Sequence, residues 1–419
     1  MKASPEAPKQ PSHVGSTTAS PADMIPSLRN RFNANFTPEK YQDFLQGLDR
    51  ACGTHVAFRN SETPCFLPRP LVDRMVADGR EIIEQLMGNS EYRRRSEAAI
   101  PAEFRVPGET DHPLFIQVDF GLIRNTRGEI EPKLVEIQGF PSLYAYQVAI
   151  AQEYQRAYGI DAELRYLPAG VDVEAYYALL RRAILGAHDP ENVVLLEIDP
   201  LEQKTLPDFL LTAQVIGIRI VNVFDVIQEH NRLFYKHNGR QVPIRRIYNR
   251  VIFDELARKG RPLPFNLTDE IDVEWADHPS WFFRISKFSI PFLHHRSVPE
   301  THFLNETDPL PDHPERYVLK PLFSFAGRGV VIGPTRQDLA AIPLEERRQY
   351  VLQERLEFEP VIETPCGPTK VEVRVMFIWL DKLQHGAILL RMGRGAMMNV
   401  SYNRDMEWVG SSAAFFPSE

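Results

Sequence analysis

Residues 317–332 read YVLKPLFSFAGRGVVI: a β-rich entry, one lysine, a loop with two glycines and a β-rich exit. Lys320 stands at the end of the first strand-like run, while Ser324, Gly327 and Gly329 let backbone N–H groups approach a phosphate without side-chain obstruction. The chemistry of such a hairpin is that of a phosphate lid. It is not a Walker loop, because no Gly-Lys-Ser/Thr follows the glycines and no helix start is evident there. An ordinary hairpin with a solvated lysine has the same local signature, so the surroundings decide between the two.

A second loaded stretch is 115–146, FIQVDFGLIRNTRGEIEPKLVEIQGFPSLYAY. Two alternating runs flank a polar turn at 125–128 and are expected to pair as an antiparallel hairpin. Asp119 is on the first strand; Glu136 and Gln138 lie two apart on the second and therefore share a face. Three oxygen-bearing groups on one hairpin suit Mg²⁺, which takes a few protein ligands and leaves other positions to water and substrate phosphate. A solvated sheet face is the bland alternative. The setting among Phe, Val, Leu and Ile, with few lysines, argues against it.

Such groups need a scaffold, and 419 residues suit two or three packed subdomains. Lys plus Arg number 48 against 56 Asp plus Glu, a net charge of -8, which disfavours a general nucleic-acid or anionic-membrane surface. Cys52, Cys65 and Cys366 form no CxxC pair, which fits a reducing compartment, with cytoplasm as the default, and offers no zinc site. Residues 1–24 are rich in Pro, Ser, Thr and Ala and read as a disordered leader. No run of roughly 18 apolar residues follows, so no membrane span is expected.

Residues 25–110 read as a helical region and 111–160 as the acidic hairpin with its following helix. Residues 161–280 read as a βαβ lobe with a further hairpin around Asn238-Gly239, and 281–419 as a lobe carrying the lid hairpin and late strands. Arg250 ends the last strand of the βαβ lobe, where it could hold a carboxylate by a bidentate contact, though a surface ion pair is the commoner fate. Lys287 lies in the helix-like stretch SWFFRISKFSIPFLHH. After the lid, YVLQERLEF turns acidic at Glu354, Glu357 and Glu359. KVEVRVMFIWL and HGAILLRMGRG then supply two strands, with Arg374 and Arg391 on them, and Asn399 falls in a late polar loop whose twin methionine packs rather than reacts.

The ordered series Lys287, Val-Pro-Glu-Thr, Lys320 with its glycine loop, Glu354, Arg374, Arg391 and Asn399 resembles the ATP-grasp superfamily of carboxylate-amine ligases. No single motif is specific; the order is. The resemblance implies that Lys287, Lys320, Ser324, Gly327, Gly329, Glu354 and Glu357 bind ATP, and that Arg374, Arg391 and Asn399 face the phosphates. The metal motif that usually closes such a chain stands early here, in VDFGLI…KLVEIQGFPSL, with Asp119, Glu136 and Gln138 in the metal positions and Gln138 where asparagine is usual.

The chain therefore resembles a circularly permuted ATP-grasp fold, of class α+β or α/β, with an inserted βαβ substrate-side lobe. That order is similar to the eukaryotic-type glutathione synthetases and more loosely to glutathionylspermidine synthase, from about Phe115 to the C-terminus. Gln117 stands where arginine is usual, and the lid lacks the glutamate those synthetases carry, so glutathione is not carried over as substrate. The resemblance implies ATP and Mg²⁺ as cofactors and small or peptide-like carboxylate and amine substrates, with no nucleic acid or membrane partner. Two other readings stand beside it: an ATP-binding protein without ligase activity, and a ligase adding an amino acid to a protein tail. For the last no basic docking groove is visible, and the oligomeric state is left open.

Overall fold

A computed structural model describes residues 24–324, 327–398, 400, 403 and 405–418. Residues 1–23 of the expected leader and Asn399 fall outside them. The centre of the molecule is a six-stranded sheet whose spatial order is Cys65–Phe66, Gly410–Phe415, Leu383–Gly393, Lys370–Trp379, Phe115–Arg124 and Ile130–Gln138. All its pairings are antiparallel except that of Cys65–Phe66 with Gly410–Phe415. Strands from early and late parts of the chain are thus zipped into one sheet.

The register of that sheet sets the chemistry. Asp119 lies opposite Glu136 and Gln117 opposite Gln138, with an irregularity after Asp119. On its other side Asp119 faces Arg374, and Glu372 faces both Gly121 and Arg391. Because side chains alternate along a strand, Glu372 and Arg374 share the face that carries Asp119 and Arg391.

The expected βαβ lobe is present as four parallel strands in the order Glu274–Ala276, Arg246–Asn249, Val193–Glu197, Arg219–Asn222, with Leu206–Ile216 as a crossover helix. A small three-stranded sheet hangs from it. Its hairpin turns at Asn238 and Gly239, both with positive φ, as a two-residue loop requires. Helix Val173–Leu185, capped by the Asp172 side chain on the Ala175 N–H, packs against this lobe. The lid hairpin belongs to a third sheet, Thr301–Phe303, Tyr350–Glu354, Tyr317–Pro321 and Val331–Ile332. Its exit strand is only two residues long.

Two expectations need correction. The stretch around Lys287 is not one helix: Ser280–Arg284 ends where Ile285 becomes extended, and Ser286 caps a separate 3-10 turn, Lys287–Phe292. The reciprocal Ser286–Ser289 capping box restarts the backbone there. The late polar segment is followed by the strand Gly410–Phe415, which pattern reading misses because GSSAAF is small, fully buried and does not alternate. Among the described residues no helix is long and apolar enough to cross a membrane.

Candidate functional site

A cavity of about 670 Å³ opens where the three larger sheets converge. Glu136 and Gln138 reach it from the end of the acidic hairpin, Arg374 and Arg391 from the neighbouring strands, and Lys320 from the lid sheet. The cationic wall is tied directly to the acidic edge. Lys320 Nζ donates to Val135 O at 3.1 Å and also to Gln353 Oε1. Lys287 Nζ lies 2.7 Å from Glu136 Oε1 and donates to Ser324 O at 2.6 Å, so it joins the acidic hairpin to the root of the lid loop.

These contacts set the ionisation. Burial pushes the Glu136 carboxyl up, but Lys287, followed by Lys320 and Arg374, more than reverses this and leaves it at about 2. Lys320 is lowered too, but here the shift disfavours the charged form: burial outweighs the attraction of Glu136, and Lys287 opposes a second nearby charge, so its ammonium drops to about 8. Glu136 is therefore an anion at neutral pH, while Lys320 is a cation close to its titration point.

Behind this edge Asp119 is fully enclosed. Arg374 grips it with two hydrogen bonds, Nε at 2.6 Å and Nη2 at 2.7 Å, and Arg391 donates to the same carboxylate and to Glu372. Asp119 does not itself line the cavity; it holds two guanidinium groups that do. Glu372, absent from the sequence-based candidates, is raised by burial against the pull of Arg391. Its signal was the alternation of KVEVRV, which puts it on the face of Arg374. Arg391 is lowered by burial, yet Glu372 and Asp119 overcome this and hold it above its ordinary value.

The remaining candidates divide by position. Gly327, Glu354 and Glu357 line the cavity. The segment after Glu354 is anchored by Glu359 N to Leu122 O at 2.8 Å, so it rides on the acidic hairpin. Gly329 has φ +70°, and a Cβ there would stand 2.9 Å from Pro321 Cγ, so the lid turn is built for glycine. Ser324 contributes its carbonyl to Lys287, not a hydroxyl to the cavity. Arg250 lines the cavity but its Nη1 is already bound to buried Asp208 at 2.9 Å, with the guanidinium 4.9 Å from the Phe209 ring. The expected free carboxylate clamp is thus an internal ion pair: Asp208 also caps the N–H groups of Leu143, Ala145 and Tyr146.

No family model and no curated protein matches this sequence. A match does exist among solved structures: a glutathione synthetase-like effector from Globodera pallida, in its apo form. It superposes with a TM-score of 0.55 at 11% identity, over 91% of this chain and 99% of that one. At that identity the likeness is one of fold. The molecule is a mixed α/β protein whose fold resembles that of this effector.

Proposed function

We propose that this chain is an ADP-forming ligase of ATP-grasp type, circularly permuted, that uses ATP and Mg²⁺ to join a carboxylate to an amine on a small or peptide-like metabolite. The observation that carries the reading is the convergence of Lys287, Lys320, Arg374 and Arg391 with Glu136 and Gln138 on one cavity, from segments far apart in sequence. The permuted order is supported by the antiparallel pairing of Lys370–Trp379 with Phe115–Arg124, which sets the late strands beside the early acidic hairpin.

The charges favour a metal-bearing nucleotide. Four cations stand against the three carboxylates Glu136, Asp119 and Glu372, an excess of one positive charge. A triphosphate brings about four negative charges, which this excess alone does not balance. The donor set fits Mg²⁺: Glu136 is ionised, and the Gln138 amide makes no side-chain hydrogen bond among the described residues and lines the same cavity. Glu136 and Gln138 would hold the ion, whose contribution is to neutralise phosphate charge. Asp119 then serves by fixing Arg374 and Arg391.

The chemistry follows from the positions. A substrate carboxylate oxygen attacks the γ-phosphorus, the bond to the β-phosphate oxygen breaks and ADP leaves. Arg374, Arg391 and Lys320 stabilise charge on the phosphoryl oxygens without having to reorient. The amine then attacks the acyl carbon, inorganic phosphate departs, and the amine nitrogen loses its proton. Lys287 holds the Ser324 carbonyl beside the cavity, and exclusion of water during the reaction would protect the acyl phosphate from hydrolysis.

A second reading, nucleotide binding without ligation, draws on the double arginine grip that removes Asp119 from the metal set. Turnover decides between them. ADP release is to be measured with ATP, Mg²⁺ and a panel pairing amino acids, dipeptides and polyamines. The ligase reading requires release that depends on a carboxylate-amine pair, and its loss in Glu136→Ala with nucleotide-analogue binding and fold retained. Nucleotide binding with no such release from any pair would leave the second reading, and an unimpaired Glu136→Ala enzyme would sink the metal assignment.

A further inference from the structure

The lobe end of the cavity carries a buried carboxyl group with no ion-pair partner among the described residues. Glu197 closes the strand Val193–Glu197 at the carboxyl edge of the parallel sheet, the edge where open α/β sheets place their ligands. It lines the cavity although only 3% of its surface is exposed. One oxygen accepts the Ile198 N–H at 2.7 Å; the other takes no hydrogen bond among the described residues, and Glu197 forms no ion pair there. A carboxylate so deeply enclosed is normally paired.

Among the described residues no charged group packed around it forms an ion pair with it. Arg250, from the end of the adjacent strand, attracts Glu197 but makes its ion pair with Asp208 of the crossover helix. Glu255, from helix Phe253–Lys259, adds negative charge and is held by Gln203 Nε2 at 3.0 Å. Lys259 is bound to Asp199 at 2.7 Å, and Lys204 sits exposed at the rim. A carboxylate ligand placed here would face Glu197 with Glu255 behind it. A cation completes the set.

We propose that the lobe end of this cavity takes a primary ammonium group, received by the Glu197 carboxylate, as the amine-bearing end of a substrate. This rests on the ligase reading for what happens next, and on the cavity alone for the binding. Burial pushes the Glu197 carboxyl up to about 8 against the pull of Arg250, so near pH 7 the empty site is largely protonated. An arriving ammonium favours the carboxylate, and the proton passes to the buffer. The two sources of such a group are the terminal ammonium of a polyamine and the α-ammonium of an amino acid or peptide.

The test is calorimetric titration of the full chain at pH 7, without nucleotide, in two buffers of different ionisation heat. The probes are putrescine, L-alanyl-L-alanine and succinate. At least one amine probe is expected to bind with proton release, which one naming the source, and succinate should not displace it. Glu197→Gln, which keeps the shape, should weaken that probe tenfold or more and abolish the buffer dependence. The proposal is overturned if neither amine probe binds, if Glu197→Gln binds it as tightly, or if succinate displaces it. A non-hydrolysable ATP analogue should bind wild type and Glu197→Gln alike. Its failure to bind either would count against the ligase reading and leave the ammonium result standing.

Discussion

At the scale of single residues, Lys320 ties the site to pH. Its folded pKa of about 8 lies below that of a free lysine because burial disfavours the ammonium. Phosphate oxygens favour the ammonium, so nucleotide binding raises that pKa and binding is linked to proton uptake above pH 8. The sign is therefore that affinity is flat below about pH 8 and falls as pH rises beyond it, by up to about tenfold per pH unit. Titration with a non-hydrolysable ATP analogue from pH 7 to 9.5 checks this, and Lys320→Arg, which stays charged, should flatten the curve. An identical fall in Lys320→Arg would assign the dependence to another group. Lys320, Glu136 and Gln138 were legible because strand alternation and a glycine loop are local signals. The fate of Arg250 was not, since its partner Asp208 lies 42 residues away and only the crossover helix brings them together.

At the scale of elements, the acidic hairpin and the late strands announced themselves through period-two alternation. Gly410–Phe415 did not, because a strand buried on both faces loses the polar half of the pattern. Yet this strand bridges Cys65–Phe66 and Leu383–Gly393, and so braces the strand carrying Arg391. Its entry depends on Gly410, which has φ +123° and sits where a Cβ would come within 2.5 Å of Arg59 O. The obstacle is backbone, so relief requires moving the junction. Gly410→Ala is expected to cost roughly 2 to 4 kcal/mol in chemical denaturation, from strain and overpacking combined. The displaced Leu383–Gly393 strand should also loosen Arg391 and weaken nucleotide binding. A loss below about 0.5 kcal/mol, the size of an ordinary surface substitution, would mean that the strand does not brace the sheet.

At the scale of the whole molecule, the boundaries suggested by composition and pattern do not coincide with separate cores. The apolar cluster that contains Phe115, Met376 and Ile378 of the central sheet also contains Val193, Leu195, Phe209 and Tyr248 of the βαβ lobe. Polar groups cross the same junction: Asp208 of the lobe caps the N–H groups at Leu143, Ala145 and Tyr146, and Asp277 accepts the Leu114 N–H at 2.9 Å. Cutting the lobe free would expose that apolar face and leave the buried Asp208 and Asp277 without those donors. Each unsatisfied group costs about 1 to 3 kcal/mol, and several together approach the whole stability of a small domain. Residues 161–280 expressed alone should therefore show no cooperative thermal transition, whereas the full chain should unfold lobe and central sheet together. Native-state hydrogen exchange provides the sharper check. Amides of Val193–Glu197 and Phe115–Arg124 should exchange through the same opening free energy, and both should slow together when an ATP analogue and Mg²⁺ bind. Independent melting of the isolated lobe would separate the two cores and would remove the physical link between the Glu197 end of the cavity and the phosphate end.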